Sequence, residues 1–581
     1  MANSNGSHAG SLSRVRPFLL PLVALLALAS PAATWAETPG AGSVSLRFQD
    51  VTEATGIDFV HYSGRSGHRF IYETISTGLV TLDYDNDGWV DVYCPNGCPM
   101  VADARGASMG NRLYRNLGGW RFADVTDAAG AGDDGFALGA TAGDFDNDGD
   151  QDLLIANYGP SVLLENNGDG TFDRRPLDTG RAPNGARRMS TGVAMLDYDG
   201  DGMLDFYLAN YIQFDPNRGG QRLVFGVPAA PGPKDYVPDH DLLLRNDGQG
   251  GVLDVSRSCG IADYFGAGMG VVAFDFDDDG DVDVFVCNDS APNFLFENEG
   301  DGRFAEIALL AGVAYDVTGA QQATMGADVG DWDNDGWLDL VTTNFSQETP
   351  TLYEYSGDGF FDDIGPVAGL GDAHPRVTWG VVLADFDHDS QLDVYLGAGH
   401  LFDIVAELNT ADQFAVPNYV FHQRNGRWVD VSQSIPAVGT VHQVTRGVCG
   451  EDFDRDGDID LICLNFDGPV QVLENVSTVR GQSIELLLVG RKANRDAVGA
   501  HIITTDEAGG SRRFTVVSGR GYQSDFGRYL HITTPSASVP EVTIRWPKGN
   551  QQRVSNLSAG RVWAVIEGEP EAIDLGRFQA D

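Results

Sequence analysis

The chain of 581 residues is too long for one ordinary hydrophobic core, so we expect more than one domain. With 84 acidic and 38 basic residues, it carries a formal net charge of −46 at pH 7. A charge this negative argues against binding to nucleic acid or to an anionic membrane surface, and it favours the binding of cations.

The first 36 residues have the pattern of a secretory signal peptide. Arg14 and Arg16 precede a mostly apolar run over 18–29, and small residues then lead to Ala36, after which we expect cleavage. The run is short and contains Pro21, so a membrane anchor is the weaker alternative. No second long apolar stretch follows. We therefore expect a mature chain that is monomeric, lacks a transmembrane segment and is secreted, periplasmic or held at the cell surface.

The most regular feature is a nine-residue pattern, Asp-x-Asp-x-Asp-x-x-x-Asp, whose positions we number 1 to 9. It recurs seven times, at residues 83–91, 144–152, 197–205, 275–283, 331–339, 385–393 and 452–460. Position 6 is Gly in six copies and Ser390 in the sixth. Four carboxylates at this spacing suit a hard cation that takes about six to eight oxygen ligands, which describes Ca²⁺ better than Mg²⁺.

These loops are not EF-hands, although their first six positions look alike. An EF-hand needs a bidentate Glu at position 12 and a helix on each side. Position 12 is never acidic here, being Cys94, Ile155, Leu208, Val286, Thr342, Leu396 and Cys463. The flanking segments, such as GVVAF and DVFVCN, are typical of strands. A Gly also lies five residues before each first Asp, at Gly78, Gly139, Gly192, Gly270, Gly326, Gly380 and Gly447.

The spacing of the loops predicts a propeller. First aspartates lie 53 to 78 residues apart, which suits four-stranded blades with one loop each. Residues 48–52 read as a fourth strand without a blade, whereas the seventh repeat lacks its own fourth strand. We therefore predict an all-β chain with a seven-bladed β-propeller closed by the N-terminal strand. A linear array of repeats does not explain why residues 48–52 form a fourth strand that has no blade of its own. The aromatic residue at position 2 of every loop is expected to pack against the neighbouring blade.

Residues 480–568 have a different character. They carry 12 basic and 7 acidic residues, whereas 37–479 carries 23 basic and 73 acidic ones. Apolar and polar residues alternate between Gly-rich turns, which predicts a small β-sandwich-like domain. Its positive charge suggests that it docks against the acidic propeller. We thus expect a signal peptide at 1–36, the propeller at 37–479, the second domain at 480–568 and a tail at 569–581.

The six cysteines leave two alternatives open. An even number in an exported chain favours disulfides. Cys94 and Cys98 are close in sequence, and Cys449 and Cys463 lie symmetrically about the seventh loop, which leaves Cys259 and Cys287 as a third pair. Free, buried thiols are the alternative.

At this point the chain resembles a known family. The loops, their flanking Gly residues and the F-x-D-V-T segments resemble the FG-GAP or VCBS repeats of the integrin α-subunit propeller. The segments NRDAVGA (494–500), GRGYQS (519–524) and IRWPKG (544–549) resemble the ASPIC/UnbV domain. The stretch GYQSDFGRYLHITTP departs from that domain's usual pattern. The combination is similar to bacterial relatives of cartilage acidic protein.

The resemblance implies about seven structural calcium ions. Side chains at positions 1, 3, 5 and 9 and the backbone carbonyl at position 7 would be their ligands. The residues so assigned are Asp83, Asp85, Asp87, Trp89, Asp91, Asp144, Asp146, Asp148, Asp150, Asp152, Asp197, Asp199, Asp201, Met203, Asp205, Asp275, Asp277, Asp279, Asp281, Asp283, Asp331, Asp333, Asp335, Trp337, Asp339, Asp385, Asp387, Asp389, Gln391, Asp393, Asp452, Asp454, Asp456, Asp458 and Asp460.

Catalytic motifs are absent from the sequence. It contains no G-x-S-x-G, no H-E-x-x-H and no phosphate-binding Gly loop. His400, His422 and His442 could line one mouth of the ring, or be surface or capping residues, and the insertion over 213–241 could be a binding loop, a lid or a brace. The sequence leaves open whether the chain is an enzyme and favours a role without catalysis. We expect an exported calcium-binding module that binds a protein or glycan in adhesion. A lectin or an extracellular polysaccharide-active enzyme is the alternative.

Overall fold

A computed structural model describes residues 46–75, 77–100, 110–215, 222–224, 226–408, 412–479, 481–506 and 509–579. The predicted signal peptide lies outside these ranges. Within them, no helix is long and apolar enough to cross a membrane. The helices have four residues each: α1 (Thr52–Thr55), α2 (Tyr72–Ile75), α3 (Thr126–Ala129), α4 (Ala308–Ala311), α5 (Gly365–Ala368), α6 (Val405–Leu408) and α7 (Pro436–Gly439).

Strand β1 (Phe48–Asp50) opens a series of four-stranded antiparallel sheets, one for each aspartate loop. Sheet 1 contains β2 (Val80–Leu82), β3 (Asp91–Cys94), β4 (Arg112–Asn116) and β5 (Phe122–Asp124). Sheet 2 contains β6 (Ala137–Gly143), β7 (Asp152–Asn157), β8 (Ser161–Asn166) and β9 (Phe172–Leu177). Sheet 3 contains β10 (Ser190–Leu196), β11 (Asp205–Asn210), β14 (Leu242–Asn246) and β15 (Val252–Asp254). The hairpin of β12 (Arg222–Val224) and β13 (Val227–Ala229) lies in the insertion of sheet 3.

The next four sheets repeat this order. Sheets 4 to 7 contain β16 (Gly268–Phe274), β17 (Asp283–Asn288), β18 (Phe294–Asn298) and β19 (Phe304–Glu306); β20 (Thr324–Gly330), β21 (Asp339–Asn344), β22 (Thr351–Tyr355) and β23 (Phe361–Asp363); β24 (Thr378–Ala384), β25 (Asp393–Ala398), β26 (Tyr419–Gln423) and β27 (Trp428–Asp430); and β28 (Thr445–Glu451), β29 (Asp460–Asn465), β30 (Gln471–Asn475) and β1. The prediction of an all-β chain of repeated four-stranded sheets, arranged in a propeller-like fold, is confirmed.

The N-terminal strand pairs with the last repeat. Phe48 lies opposite Asn475, and Asp50 lies opposite Leu473, in an antiparallel register. Strand β1 therefore supplies the fourth strand of sheet 7, more than 400 residues along the chain from the strand that it extends.

Neighbouring sheets meet along their first strands, where glycine is required. A Cβ atom on Gly139 would lie 1.9 Å from the carbonyl oxygen of Thr191, and one on Gly192 would lie 2.2 Å from that of Met269. A Cβ on Gly447 of sheet 7 would lie 2.6 Å from the Cα of Gly78, next to sheet 1. The Gly that precedes each loop thus allows close backbone contact between sheets.

The aromatic residues at position 2 pack as predicted, each against a neighbouring sheet. The ring centroid of Tyr84 lies 6.2 Å from that of Phe172 in sheet 2. Trp332 and Trp428 are 5.4 Å apart, between loop 5 and sheet 6. These side chains are buried, so they belong to the inter-sheet core.

Two further sheets form the C-terminal domain. One has the strand order β34 (Leu530–Thr534), β31 (Gln482–Val489), β37 (Arg561–Ile566) and β38 (Ile573–Arg577), and the other has β33 (Ser511–Thr515), β32 (His501–Thr505), β35 (Ser538–Arg545) and β36 (Gln551–Ser558). Their shared core includes Ile484, Leu486, Ile502 and Ile544. Strand β38 lies within the segment that the sequence analysis treats as a tail, and it pairs with β37.

A segment of the C-terminal domain passes between the first strands of the seven sheets. Gly521 exchanges two backbone hydrogen bonds with Ala327 of sheet 5, at 2.7 and 3.1 Å. Asp525 donates its N–H to Leu79 and accepts from the N–H of Thr81, both at 3.0 Å. Tyr522 is fully buried between them. We call residues 518–527 the central segment. It includes part of the stretch whose sequence departs from the family pattern.

Of the two alternatives for the cysteines, disulfides or free thiols, the structure has free thiols. All six lie in described parts of the chain and are free thiols, so the three expected disulfides are not formed. In sheet 7, Cys449 lies opposite Ile462, and Cys463 lies opposite Val448. Because adjacent residues of a strand point to opposite faces, the two thiols cannot face each other. Five of the six side chains are buried.

Candidate metal centres

The carboxylate at position 1 organises each aspartate loop. In all seven loops it accepts a hydrogen bond from the backbone N–H of position 6, at 2.8 to 3.1 Å. In the first loop, Asp83 accepts in this way from Gly88. The backbone of position 6 has a positive φ, +87° at Gly88 and +70° at Ser390. Glycine adopts this conformation without strain, which explains its place in six of the seven copies.

The carboxylate at position 9 fastens the loop to its sheet. It accepts from the N–H of position 2 in every loop, as Asp91 does from Tyr84 at 3.0 Å. Its other oxygen accepts from the N–H of the last residue of the third strand, which is Asn116 in sheet 1. Two backbone donors therefore fix the orientation of this carboxylate.

That last residue of the third strand is a structural partner that the sequence analysis missed. It is Asn in five sheets, and its side-chain amide donates to the carbonyl oxygen of position 2 in another loop. Asn166 of sheet 2, for example, donates to Tyr84 of loop 1 at 2.9 Å. The recurring Asn in VLLEN, FLFEN and QVLEN was the available signal.

Carboxylate oxygens of positions 1, 3 and 9 converge. In loops 1 to 3 one oxygen from each lies within 4.8 Å of the others, in the groups Asp83, Asp85 and Asp91; Asp144, Asp146 and Asp152; and Asp197, Asp199 and Asp205. Position 5 instead accepts from the N–H of position 7, as Asp87 does from Trp89 at 2.9 Å. The assigned position-7 carbonyls and position-5 carboxylates stay predictions as ligands.

Several of these oxygens are buried without a hydrogen-bond donor in the described structure. They include Oδ1 of Asp85, of Asp199 and of Asp331. A buried carboxylate oxygen without a partner costs free energy unless a cation compensates it. The loops therefore fit a hard cation such as Ca²⁺ at the convergence of positions 1, 3 and 9.

Burial also raises the pKa of these carboxyl groups. It brings the pKa of Asp83 to about 6, that of Asp144 to about 7, that of Asp152 to about 8 and that of Asp339 to about 9. Neighbouring carboxylates raise these values further, whereas backbone N–H donors lower them. The ionised loop is thus unfavourable without a positive charge in it.

In sheets 1 and 3, the residue one place before the end of the third strand forms ion pairs with the aspartate loop of the same sheet. In sheet 1, Arg115 pairs with Asp85 at 2.7 Å and with Asp87 at 2.8 Å. In sheet 3, Arg245 pairs with Asp199 at 2.7 Å. Sequence reasoning missed this position because the loop and the third strand become neighbours only through strand pairing.

Basic side chains of the C-terminal domain contact the loops. Lys548 pairs with Asp281 at 2.8 Å, and Arg545 pairs with Asp278 at 2.8 Å. Arg513 also pairs with Asp278. These ion pairs agree with the docking that the opposite charges of the two domains suggest.

The three histidines singled out in the sequence do not share one environment. His422 lies on strand β26 and is buried against Asp387 in loop 6. The backbone N–H of Phe402 donates to His400 Nδ1 at 3.0 Å. His442 is exposed, and its Nδ1 lies 3.2 Å from the carbonyl oxygen of Ala415.

Comparison with known families agrees with this architecture. The FG-GAP-like repeat family matches residues 83–155, 144–208, 275–342 and 331–396, and the ASPIC and UnbV family matches residues 490–572. The chain therefore combines FG-GAP-like repeats with an ASPIC and UnbV domain.

Among curated proteins, the chain is similar to Cartilage acidic protein 1. It is 25% identical to the Homo sapiens protein over 453 residues, which cover 74% of this chain and 63% of that protein. It is 25% identical to the Xenopus tropicalis protein over 520 residues, covering 85% and 73%. The chain thus spans less than two thirds of the human relative.

Two solved structures match the chain with low TM-scores. One concerns specific recognition of non-reducing terminal N-acetylglucosamine by an Agrocybe aegerita lectin, with a TM-score of 0.36, 16% identity and coverage of 68% of this chain and 87% of that one. The other is BBS1N in complex with ARL6DN, with a TM-score of 0.41, 9% identity and coverage of 73% and 96%.

Proposed function

We propose that the seven sheets form a closed, seven-bladed propeller whose aspartate loops bind about seven structural calcium ions. We further propose that the chain is exported and binds a protein or glycan, in the manner of an adhesion module. The observation that carries the calcium proposal is the convergence of buried carboxylate oxygens from positions 1, 3 and 9, some of them without a donor.

Three contacts support closure of the ring. Strand β1 pairs with β30 of sheet 7. The ring centroid of Phe453 in loop 7 lies 6.4 Å from that of Phe122 in sheet 1. The side-chain amide of Asn116 in sheet 1 donates to the carbonyl oxygen of Phe453 at 2.8 Å. The aromatic contact and the amide bond have counterparts between other successive sheets, such as Tyr84 with Phe172 and Asn166 with Tyr84.

Calcium in these loops would be structural. Each ion would supply two positive charges to four closely spaced carboxylates, and at a concentration 100 times its dissociation constant it would add about 2.7 kcal/mol of stability. Asp83, Asp85 and Asp91 would hold the first ion, and their counterparts would hold the others. The position-9 carboxylate ties two strands of the same sheet, so an occupied loop would stabilise its whole sheet.

The binding face is proposed at the end of the sheets opposite the loops. Connections between second and third strands leave each sheet at that end, and they include the insertions of sheets 3 and 6. A cavity of about 220 Å³ lies there, lined by Arg65, Arg69, Phe402, Phe414 and Phe466 among others. Aromatic rings beside paired charges suit a glycan or a polar protein segment.

A binding experiment tests the proposed protein or glycan partner. The full mature chain with calcium is applied to an array of glycans and of extracellular proteins, beside a Phe402→Ala, Phe414→Ala double variant. Binding that the double variant loses supports the proposal. Binding that it retains places the site elsewhere, and release of products from a polysaccharide panel overturns a purely binding role.

A further inference from the structure

Loop 6 has a different neighbour from every other loop. The residue one place before the end of the third strand is Arg115, Glu165, Arg245, Glu297, Glu354, His422 and Glu474 in sheets 1 to 7. Among the seven sheets, only sheet 6 therefore presents an imidazole at this position. Carboxylate and guanidinium groups at the other six positions offer oxygen ligands or a fixed positive charge.

His422 is enclosed and directed at the loop. Its side chain is 1% exposed, and its Nε2 lies 3.4 Å from Asp387 Oδ2 and 4.0 Å from Asp389 Oδ2. Nε2 has no hydrogen-bond partner among the residues that the structure describes. One ring nitrogen of His422 and one oxygen each of Asp387 and Asp393 lie within 4.8 Å of one another.

The position-1 carboxylate of this loop is already committed elsewhere. Asp385 Oδ2 accepts from the N–H of Ser390 at 2.8 Å and from Thr533 Oγ1 of the C-terminal domain at 2.5 Å. The additional bond from Thr533 makes Asp385 a weaker candidate ligand than its counterparts. Four-coordinate sites with imidazole and carboxylate ligands are characteristic of Zn²⁺.

We propose that loop 6 is a mixed imidazole–carboxylate site, held by Asp387, Asp393 and His422, that selects a divalent transition metal such as Zn²⁺ over Ca²⁺. The inference rests on the proposed function in one respect, namely that the aspartate loops are metal sites. It assigns loop 6 a different metal from the other loops, where oxygen ligands suit calcium.

Arg424 determines whether the ring nitrogen is available. Its Nε donates to His422 Nδ1 at 3.0 Å, which places the ring hydrogen on Nε2. Metal binding requires the lone pair of Nε2, so the hydrogen must move to Nδ1 and Arg424 must turn away. Arg424 is exposed and can do so. Arg424 therefore opposes the metal, and its removal should strengthen binding.

Loop 4 also has a buried histidine beside its aspartates, but we do not assign a Zn²⁺ site to it. His501 Nε2 lies 3.1 Å from Asp275 Oδ2 and 3.4 Å from Asp278 Oδ1. Arg513 and Arg545 both pair with Asp278, so two fixed cations already neutralise that carboxylate.

The test measures metal content in the presence of both ions. The full mature chain is dialysed against millimolar Ca²⁺ with micromolar Zn²⁺, and both metals are counted by mass spectrometry; Co²⁺ in place of Zn²⁺ reports nitrogen ligation through its visible absorption. We expect one Zn²⁺ per chain beside the calcium. His422→Glu, which restores the residue of sheets 2, 4, 5 and 7, should lower Zn²⁺ affinity at least tenfold. His442→Glu is the matched control and should keep the Zn²⁺.

The outcomes separate the two proposals. Calcium without Zn²⁺ in the wild-type chain overturns the loop 6 inference and leaves the calcium proposal intact. Neither metal bound overturns both. Zn²⁺ retained equally by His422→Glu, whose remaining calcium shows that it is folded, also overturns the inference. Arg424→Ala should bind Zn²⁺ more tightly than wild type, and weaker binding contradicts the role given to Arg424.

Discussion

The side-chain amide of Asn116 donates to the carbonyl oxygen of Phe453 at 2.8 Å, across 337 positions of sequence. Asn116 ends the third strand of sheet 1, and Phe453 is position 2 of loop 7. The same bond joins Asn298 to Tyr198 and Asn475 to Phe386. In the five sheets whose third strand ends in Asn, the sheet thus holds the loop of the preceding sheet, and sheet 1 holds loop 7 in this way.

Removal of this amide should destabilise the chain. Asn116 is fully buried and also donates to Val90, so Asn116→Ala leaves two buried carbonyl groups without a donor. We expect the free energy of unfolding to fall by about 1 to 3 kcal/mol. Asn167→Ala, at an exposed turn, is the control and should change it by less than about 0.5 kcal/mol. Denaturant melts of the two variants measure the difference, and equal midpoints would contradict the role of Asn116.

The glycine before each loop should tolerate no side chain. A Cβ on Gly139 would lie 1.9 Å from a backbone oxygen, which a local shift cannot relieve. We expect Gly139→Ala to be expressed mainly in insoluble form. Gly371 has no atom within 4 Å of the corresponding position, so Gly371→Ala should remain soluble with an unchanged melting temperature. Comparable yields of the two variants would show that the sheets are packed less closely than the structure places them.

The central segment should contribute strongly to stability. Tyr522 is fully buried, its ring centroid lies 5.0 Å from that of Trp379, and its hydroxyl donates to the carbonyl oxygen of Ile75 at 2.9 Å. We expect Tyr522→Ala to cost about 3 to 5 kcal/mol, and Tyr522→Phe to cost about 1 kcal/mol. Phe360→Ala removes an exposed ring and serves as control. If calorimetry finds Tyr522→Ala as stable as that control, the segment does not hold the sheets together.

The metal-free chain should lose stability as pH rises. Burial raises the pKa of Asp144 to about 7, of Asp152 to about 8 and of Asp339 to about 9, above the ordinary value of about 4 in an unfolded chain. The folded state therefore binds more protons than the unfolded one between about pH 4 and pH 9, and stability falls across that window. In EDTA we expect a lower melting temperature at pH 8 than at pH 5. Saturating calcium should remove or reverse this slope, because the metal requires the ionised carboxylates.

Much of the fold could be predicted from the sequence because it repeats. The period of the aspartate loops predicts one four-stranded sheet for each loop, and the unpaired FQDVT at 48–52 predicts the strand that pairs with β30.

The remainder depends on contacts that no period reveals. The central segment occurs once, and its Tyr522 contacts Trp379, which lies in sheet 6. Arg115 and His422 face the loops only because the second and third strands pair in a particular register. The choice between a Cys449–Cys463 disulfide and free thiols also depended on this register, since symmetry in sequence does not place two side chains on one face of a sheet.

The central claim, that the aspartate loops are structural calcium sites, is tested most directly by the melting temperature of the full mature chain with and without calcium, together with the number of ions bound. We predict at least about six calcium ions per chain after dialysis, and a melting temperature that falls steeply in excess EDTA and returns when calcium is restored. A chain that retains no calcium, or that melts at the same temperature in EDTA and in millimolar calcium, would contradict the account.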